Sequence, residues 1–81
     1  MRLIDCFYQD GVIDCYTFVF AERDPWTNYY TMLATDHDGR MFSQWTEGFY
    51  EPGEANPHLG ERPRHIGEAL VNHVIGRMSD E

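Results

Sequence analysis

The chain has 81 residues, of which 42% are hydrophobic, 25% charged and 15% aromatic. That bounds it to one small domain spanning 1–81 and excludes the disordered class, which is poor in aromatic and β-branched side chains. Fourteen acids against six bases, all of them arginine, give a net charge of −8, so direct nucleic-acid binding, which needs a basic face to displace counterions, is not expected. No apolar run is long enough to span a bilayer and no charged-then-apolar leader opens the chain, so the expectation is a cytoplasmic protein without membrane contact.

The first segment predicts a β-hairpin. Leu3–Gln9 and Val12–Ala21 are rich in β-branched and aromatic residues and flank Asp10-Gly11, a two-residue turn signal. With that loop Cys6 faces Cys15, Tyr8 faces Ile13 and Ile4 faces Thr17. One face then carries Ile4, Cys6, Tyr8, Ile13, Cys15 and Val19. The other mixes Asp5, Gln9 and Asp14 with Phe7, Tyr16, Phe18 and Phe20. Glu22–Asn28 is a connector, because Asp24-Pro25 cannot continue a central strand.

A second hairpin follows, with Tyr29–Thr35 and Arg40–Thr46 flanking Asp36-His37-Asp38-Gly39. Asp at the first position and Gly at the fourth favour a type I turn with a left-handed glycine and a bulge. A two-residue loop at Asp38-Gly39 is the competitor and would turn every side chain to the other face. Gly48–Arg64 is irregular, with Pro52, Gly53, Pro57, Gly60 and Pro63, and a loop of that length in so small a domain is often functional. From Pro63 to Met78 the apolar period becomes helical, with Ile66, Leu70, Val74 and Met78 at i+4 steps. Pro63 suits the first turn and Arg77 the last. The expected architecture is α+β: a four-stranded antiparallel sheet of two hairpins with one C-terminal helix packed on one face. The opposite face, bearing several aromatics, is left to solvent or to another subunit.

Catalytic signatures are absent. There is no Gly-x-Ser-x-Gly, no phosphate-cradling glycine loop and no His-Glu-x-x-His, and no nucleophile is paired with a base in sequence. No enzyme, no cofactor and no metal are expected. Cys6 and Cys15 lack Cys-x-x-Cys spacing and read as two small buried hydrophobes, with a structural bridge as the alternative. His37 in its aspartate-rich turn lacks the distal glutamate of a calcium loop, and His65 and His73 lie ~12 Å apart along one helix, too far to share an ion.

Charge and aromatic placement remain as the informative features. Residues 1–61 hold eleven acids against Arg2, Arg23 and Arg40, whereas 62–79 hold Arg62, Arg64 and Arg77 against Glu68. The negative field therefore belongs to the sheet and loops. Carboxylates two apart on a strand stand ~6.6 Å apart, near the phosphate repeat of a nucleic-acid strand. A negative sheet edge would then suit the basic groove of a nucleic-acid-handling protein; solubility alone is the plainer account of the same charge. Trp26 and Tyr50 fall in expected loops and are candidate exposed anchors, since tryptophan and tyrosine dominate binding hot spots. With Glu51, Glu54, Asp36 and Asp38 they form the expected partner-binding set.

The resulting expectation is a small acidic, non-enzymatic protein that binds another protein, as an inhibitor or regulator of a nucleic-acid-handling complex. In size, charge and lack of catalytic motif it is similar to small phage-encoded inhibitors of the anti-CRISPR and anti-restriction type, a likeness that rests on no specific residues. A structural protein that forms homodimers through the open face bearing Tyr16, Phe18 and Phe20 is the alternative. A small metal- or thiol-dependent enzyme is the second alternative.

Overall fold

A computed structural model describes residues 2–10, 14–21, 29–48 and 50–79. The predicted connector Glu22–Asn28 with Trp26, and also Ile13 and Phe49, lie outside them. Four strands, β1 (Arg2–Gln9), β2 (Cys15–Ala21), β3 (Tyr30–Thr35) and β4 (Met41–Glu47), form one antiparallel sheet in the order β1-β2-β3-β4. A single helix, α1 (Glu68–Ser79), follows. The α+β class and the two-hairpin sheet with its C-terminal helix are as the sequence predicts.

The first hairpin does not take its predicted register. Cys6 stands opposite Phe18, Tyr8 opposite Tyr16 and Gln9 opposite Cys15, so residues 10–14 connect the strands instead of the pair Asp10-Gly11. The slip is three residues, and an odd slip exchanges the faces of one strand relative to the other. The physical gain is that Tyr16, Phe18 and Phe20 join Leu3 and Cys6 on one side, where Leu33, Leu70, Val74 and Met78 meet them in a core. Burial of three aromatic rings outweighs a favourable two-residue turn. The aromatic face expected to stay open is thus the face α1 covers: Phe18 and Phe20 are buried.

The other face is also covered. Phe7, Val19 and Met32 pack with Tyr50, and Ile4, Tyr30, Trp45 and Leu59 flank them. The irregular segment after β4 therefore serves as a second layer. Its turns are locally encoded: Glu54 N–H donates to the Glu51 carbonyl at 3.2 Å across Pro52-Gly53, with Gly53 at φ 86°, the geometry of a type II turn. Asn56 accepts from Leu59 and Gly60 through its carbonyl, at 3.0 and 3.2 Å, and from His58 N–H through its side chain.

The segment then reaches the outer edge of β1, where Tyr8 and Glu61 exchange backbone hydrogen bonds of 2.6 and 2.9 Å. This bridge explains why the helix begins at Glu68 and not near Pro63. Leu59 packs on one face and Ile66 on the other, so 61–67 must pass round the edge of β1 before a helix can start. Gly67 supplies the first helical acceptor, taking the Val71 N–H at 3.1 Å.

The second hairpin takes the bulged form. Gly39 N–H donates to the Asp36 carbonyl at 3.2 Å, Asp36 N–H donates to the Arg40 carbonyl at 3.0 Å, and Gly39 has φ 82°. The Asp36 carboxylate accepts from the Asp38 and Arg40 N–H groups at 2.9 and 2.8 Å, which pins the turn. Beyond it, Thr35 faces Met41 while Ala34 faces Ser43, so Phe42 is an extra residue in β4.

Candidate functional site

Asp10 and Asp14, at the facing ends of β1 and β2, and the turn 36–40 lie at the same end of the sheet, and Glu61 joins them through its bridge to Tyr8. Contacts run continuously across this end. Tyr8 donates its hydroxyl to Asp14, Asp14 Oδ2 lies 2.6 Å from His37 Nε2, and His37 sits between Asp36 and Asp38. Below them the Tyr8 and Tyr16 rings are 4.9 Å apart, and the Tyr16 ring meets His37 edge-on at 5.2 Å. The site is a rim of five carboxylates, Asp10, Asp14, Asp36, Asp38 and Glu61; among the described residues the arginines beside it are Arg40 and, next to Glu61, Arg62, whose guanidinium is paired with Asp5.

The electrostatics follow from these contacts. The Asp14 carboxyl is held below the usual carboxylate range, first by its hydrogen bond to His37 and then by that from Tyr8. Tyr8 is pushed up to about 12, first because Asp14 accepts its proton in a hydrogen bond. Asp10, Asp38 and Glu61 are exposed, with Asp10 close enough to Asp14 to help hold its carboxyl down. Beside Glu61, Phe7, Asn56, Pro57, Gly60 and Arg62 line an open recess of about 390 Å³, so the acidic rim borders a notch with an apolar floor and the Arg62 side chain at its wall.

The expected partner-binding residues divide. Asp38 belongs to the rim. Asp36 also lies there, but its carboxylate is spent on the turn. Glu51 and Glu54 are exposed on the type II turn. Tyr50 is not an exposed anchor: it is 6% exposed, its ring meets Phe7 and Tyr30 edge-on, and its hydroxyl donates to Asp5. Trp26 lies outside the described residues. The negative sheet edge is corrected as well. Among the described residues the strands carry Asp5 and Glu47 as their only acids, so they hold no row of carboxylates at strand spacing, and the other described acids lie on the connections and α1.

Two groupings escape a sequence reading. One is the Asp14–His37 pair, 23 residues apart, which needs the true register of the first hairpin. The other is a latch at Asp5, where Arg62 donates from Nε and Nη2 at 3.1 and 2.9 Å and Tyr50 from its hydroxyl. Arg62 also donates to the Glu54 carbonyl at 2.6 Å and lies over the Phe7 ring, 4.9 Å from its centre. Burial raises the Asp5 carboxyl, but hydrogen bonds from Arg62, Tyr50 and the Cys6 N–H outweigh it and hold it below its ordinary value. The latch fastens the covering segment to β1.

The cysteines are free and are not cross-strand partners. Cys6 lies on the face of Phe18, whereas Cys15 precedes Tyr16 and so points to the opposite face. Burial first, and Asp5 second, push the Cys6 thiol up to about 12; burial also raises Cys15. Neither is an activated nucleophile. Among the described residues no three His, Cys, Asp or Glu side chains converge as metal ligands, no buried side-chain nitrogen or oxygen lacks a partner, and no helix is long and apolar enough to cross a membrane. Compared with known proteins, the chain matches no family model, no curated protein and no solved structure.

Proposed function

We propose that this protein acts by binding a basic surface of another protein through its acidic rim, as an inhibitor or regulator of a nucleic-acid-handling partner. The observation that carries the reading is the gathering of Asp10, Asp14, Asp36, Asp38 and Glu61 at one end of the sheet, where among the described residues the only unpaired arginine beside them is Arg40, Arg62 being held by Asp5. A concentrated negative field of this kind speeds encounter with a positive groove and competes there with phosphates. The rigid hairpin turn and the Asp14–His37 pair hold the carboxylates in place, which lowers the ordering cost of binding.

The test is affinity capture with the wild-type chain and with the triple variant Asp10→Lys/Asp38→Lys/Glu61→Lys, whose substituted side chains are exposed and hold no turn. Wild type is expected to retain a basic nucleic-acid-binding protein at low salt and to release it at high salt, and the variant to retain none. An unchanged set of captured proteins with the variant refutes the reading.

A further inference from the structure

The two edges of the sheet are treated differently. The outer side of β1 is closed by the Glu61 bridge and the Arg62 latch. The outer side of β4 makes no backbone hydrogen bond among the described residues. Edge strands are ordinarily blunted by charge, proline or a covering loop. Met41–Thr46 has no charge and no proline, and Met41 and Phe42 are 37% and 47% exposed. On a chain of net charge −8, this is an uncharged border that combines two exposed apolar side chains with backbone groups left to pair.

We propose that β4 is a self-association edge, on which two copies of the chain pair their β4 strands antiparallel about Gln44 to make one continuous sheet. Charge selects the occupant and the direction. Arg40 and Glu47 bracket the neutral strand at opposite ends, so a parallel arrangement sets like charges together, whereas an antiparallel one sets each arginine at the other copy's glutamate.

Register agrees with this. A two-fold axis normal to a sheet keeps every side chain on its own face, so a residue must stand opposite itself or opposite one an even number of positions away. Centred on Gln44, Ser43 faces the second copy's Trp45. With Met41-Phe42 taken as one bulged step, as it is against β3, Met41 faces Thr46 and Arg40 faces Glu47. The same axis sends the two acidic rims to opposite ends of the joined sheet, so the most negative surfaces stay apart. Exposed ion pairs contribute little energy themselves. They fix register, while backbone hydrogen bonds and the cover given to Met41 and Phe42 hold the pair. A single-strand contact is small, so the dimer is weak and concentration-dependent.

Sedimentation of the full chain over a series reaching millimolar concentration is expected to show the mass climbing from 9.5 kDa toward twice that value. Arg40→Glu and Glu47→Arg are each expected to weaken association about tenfold by placing like charges opposite each other, and the double swap to restore it. Gln44→Cys under mild oxidation is expected to give a dimer linked through position 44, since facing Cα atoms about 4.5–5.5 Å apart can be bridged. Arg40 and Gln44 are exposed, so their variants report even where Glu47→Arg disturbs the Trp45 hydrogen bond. A chain that stays monomeric throughout, an association indifferent to the single reversals, or a swap that fails to restore it overturns the proposal. The acidic-rim reading stands or falls separately, because Gln44→Cys and Glu47→Arg lie outside the rim and Arg40→Glu removes none of its carboxylates.

Discussion

Substituting Gly60 by alanine, with Gly53→Ala beside it, measures how tightly the covering segment is fastened to β1. Both glycines have positive φ, 108° and 86°, and an L side chain at such a position costs about 1–2 kcal/mol. At Gly53 an added Cβ meets nothing within 4 Å, so the cost stops there. At Gly60 it would stand 2.2 Å from the Tyr8 carbonyl oxygen, 2.8 Å from the carbonyl carbon and 3.1 Å from the Gln9 nitrogen. These are backbone atoms of a paired strand and cannot rotate away. The bridge between Tyr8 and Glu61 must open, losing two hydrogen bonds worth about 0.5–1.5 kcal/mol each. Gly60→Ala should therefore cost about 2–5 kcal/mol, against a total stability of about 4–12 kcal/mol for a chain of this length. Urea unfolding followed by tryptophan fluorescence gives both costs, and hydrogen exchange at the Tyr8 amide reports the bridge directly. Equal destabilisation by the two substitutions, or full protection of Tyr8 in the Gly60 variant, would refute the fastening argument.

Three further expectations concern the latch and the thiols. Tyr50→Phe should cost about 1–2 kcal/mol, the worth of a hydrogen bond to a carboxylate that keeps its arginine, and Tyr50→Ala about 3–5 kcal/mol for a lost buried ring; denaturation midpoints unaffected by both would return Tyr50 to the surface. Asp5, whose folded pKa is depressed, stabilises fully above the ordinary aspartate value, and that contribution fades as pH falls through the folded value. The acid limb of a stability-against-pH series should accordingly flatten in Asp5→Asn. Cys6, at about 12, should resist thiol reagents in the folded protein and react on denaturation, and mild oxidation should yield no bridge between Cys6 and Cys15; rapid labelling of the native protein or an intramolecular disulfide contradicts the register.

Much of the architecture is legible in the residues because it is written locally. The Asp36–Gly39 turn needs an aspartate to accept and a glycine to go left-handed, and both stand at the required positions. The i+4 ladder Ile66, Leu70, Val74 and Met78 marks the inner side of α1 wherever the helix starts. What escapes is everything decided across the sheet. Asp10-Gly11 is a sound two-residue turn in isolation, yet Tyr16, Phe18 and Phe20 gain more by lying under α1 than the turn gains by closing tightly. That same slip brings Asp14 to His37. The irregular stretch around Tyr50 has no apolar period, so nothing local distinguishes a covering layer from an exposed loop; its role depends on Arg62 finding Asp5 across 57 residues.

With α1 on one face and the 50–62 segment on the other, binding surfaces are confined to the ends and borders of the sheet. Burial alone accounts for part of the acidic rim: carboxylates excluded from two apolar cores must go to connections, where water solvates them. That argument applies equally to arginine, however, since a guanidinium is no easier to bury unpaired. Burial sorts charged from apolar residues and does not sort charges by sign. Yet among the described residues Arg2 stands at the far end of β1, Arg64 and Arg77 lie in the stretch from the bridge through α1, and Arg62, though next to Glu61, is drawn to Asp5, leaving Arg40 among five rim carboxylates. The segregation of sign is thus the part of the charge distribution that folding leaves unexplained, and a basic partner supplies a reason for it.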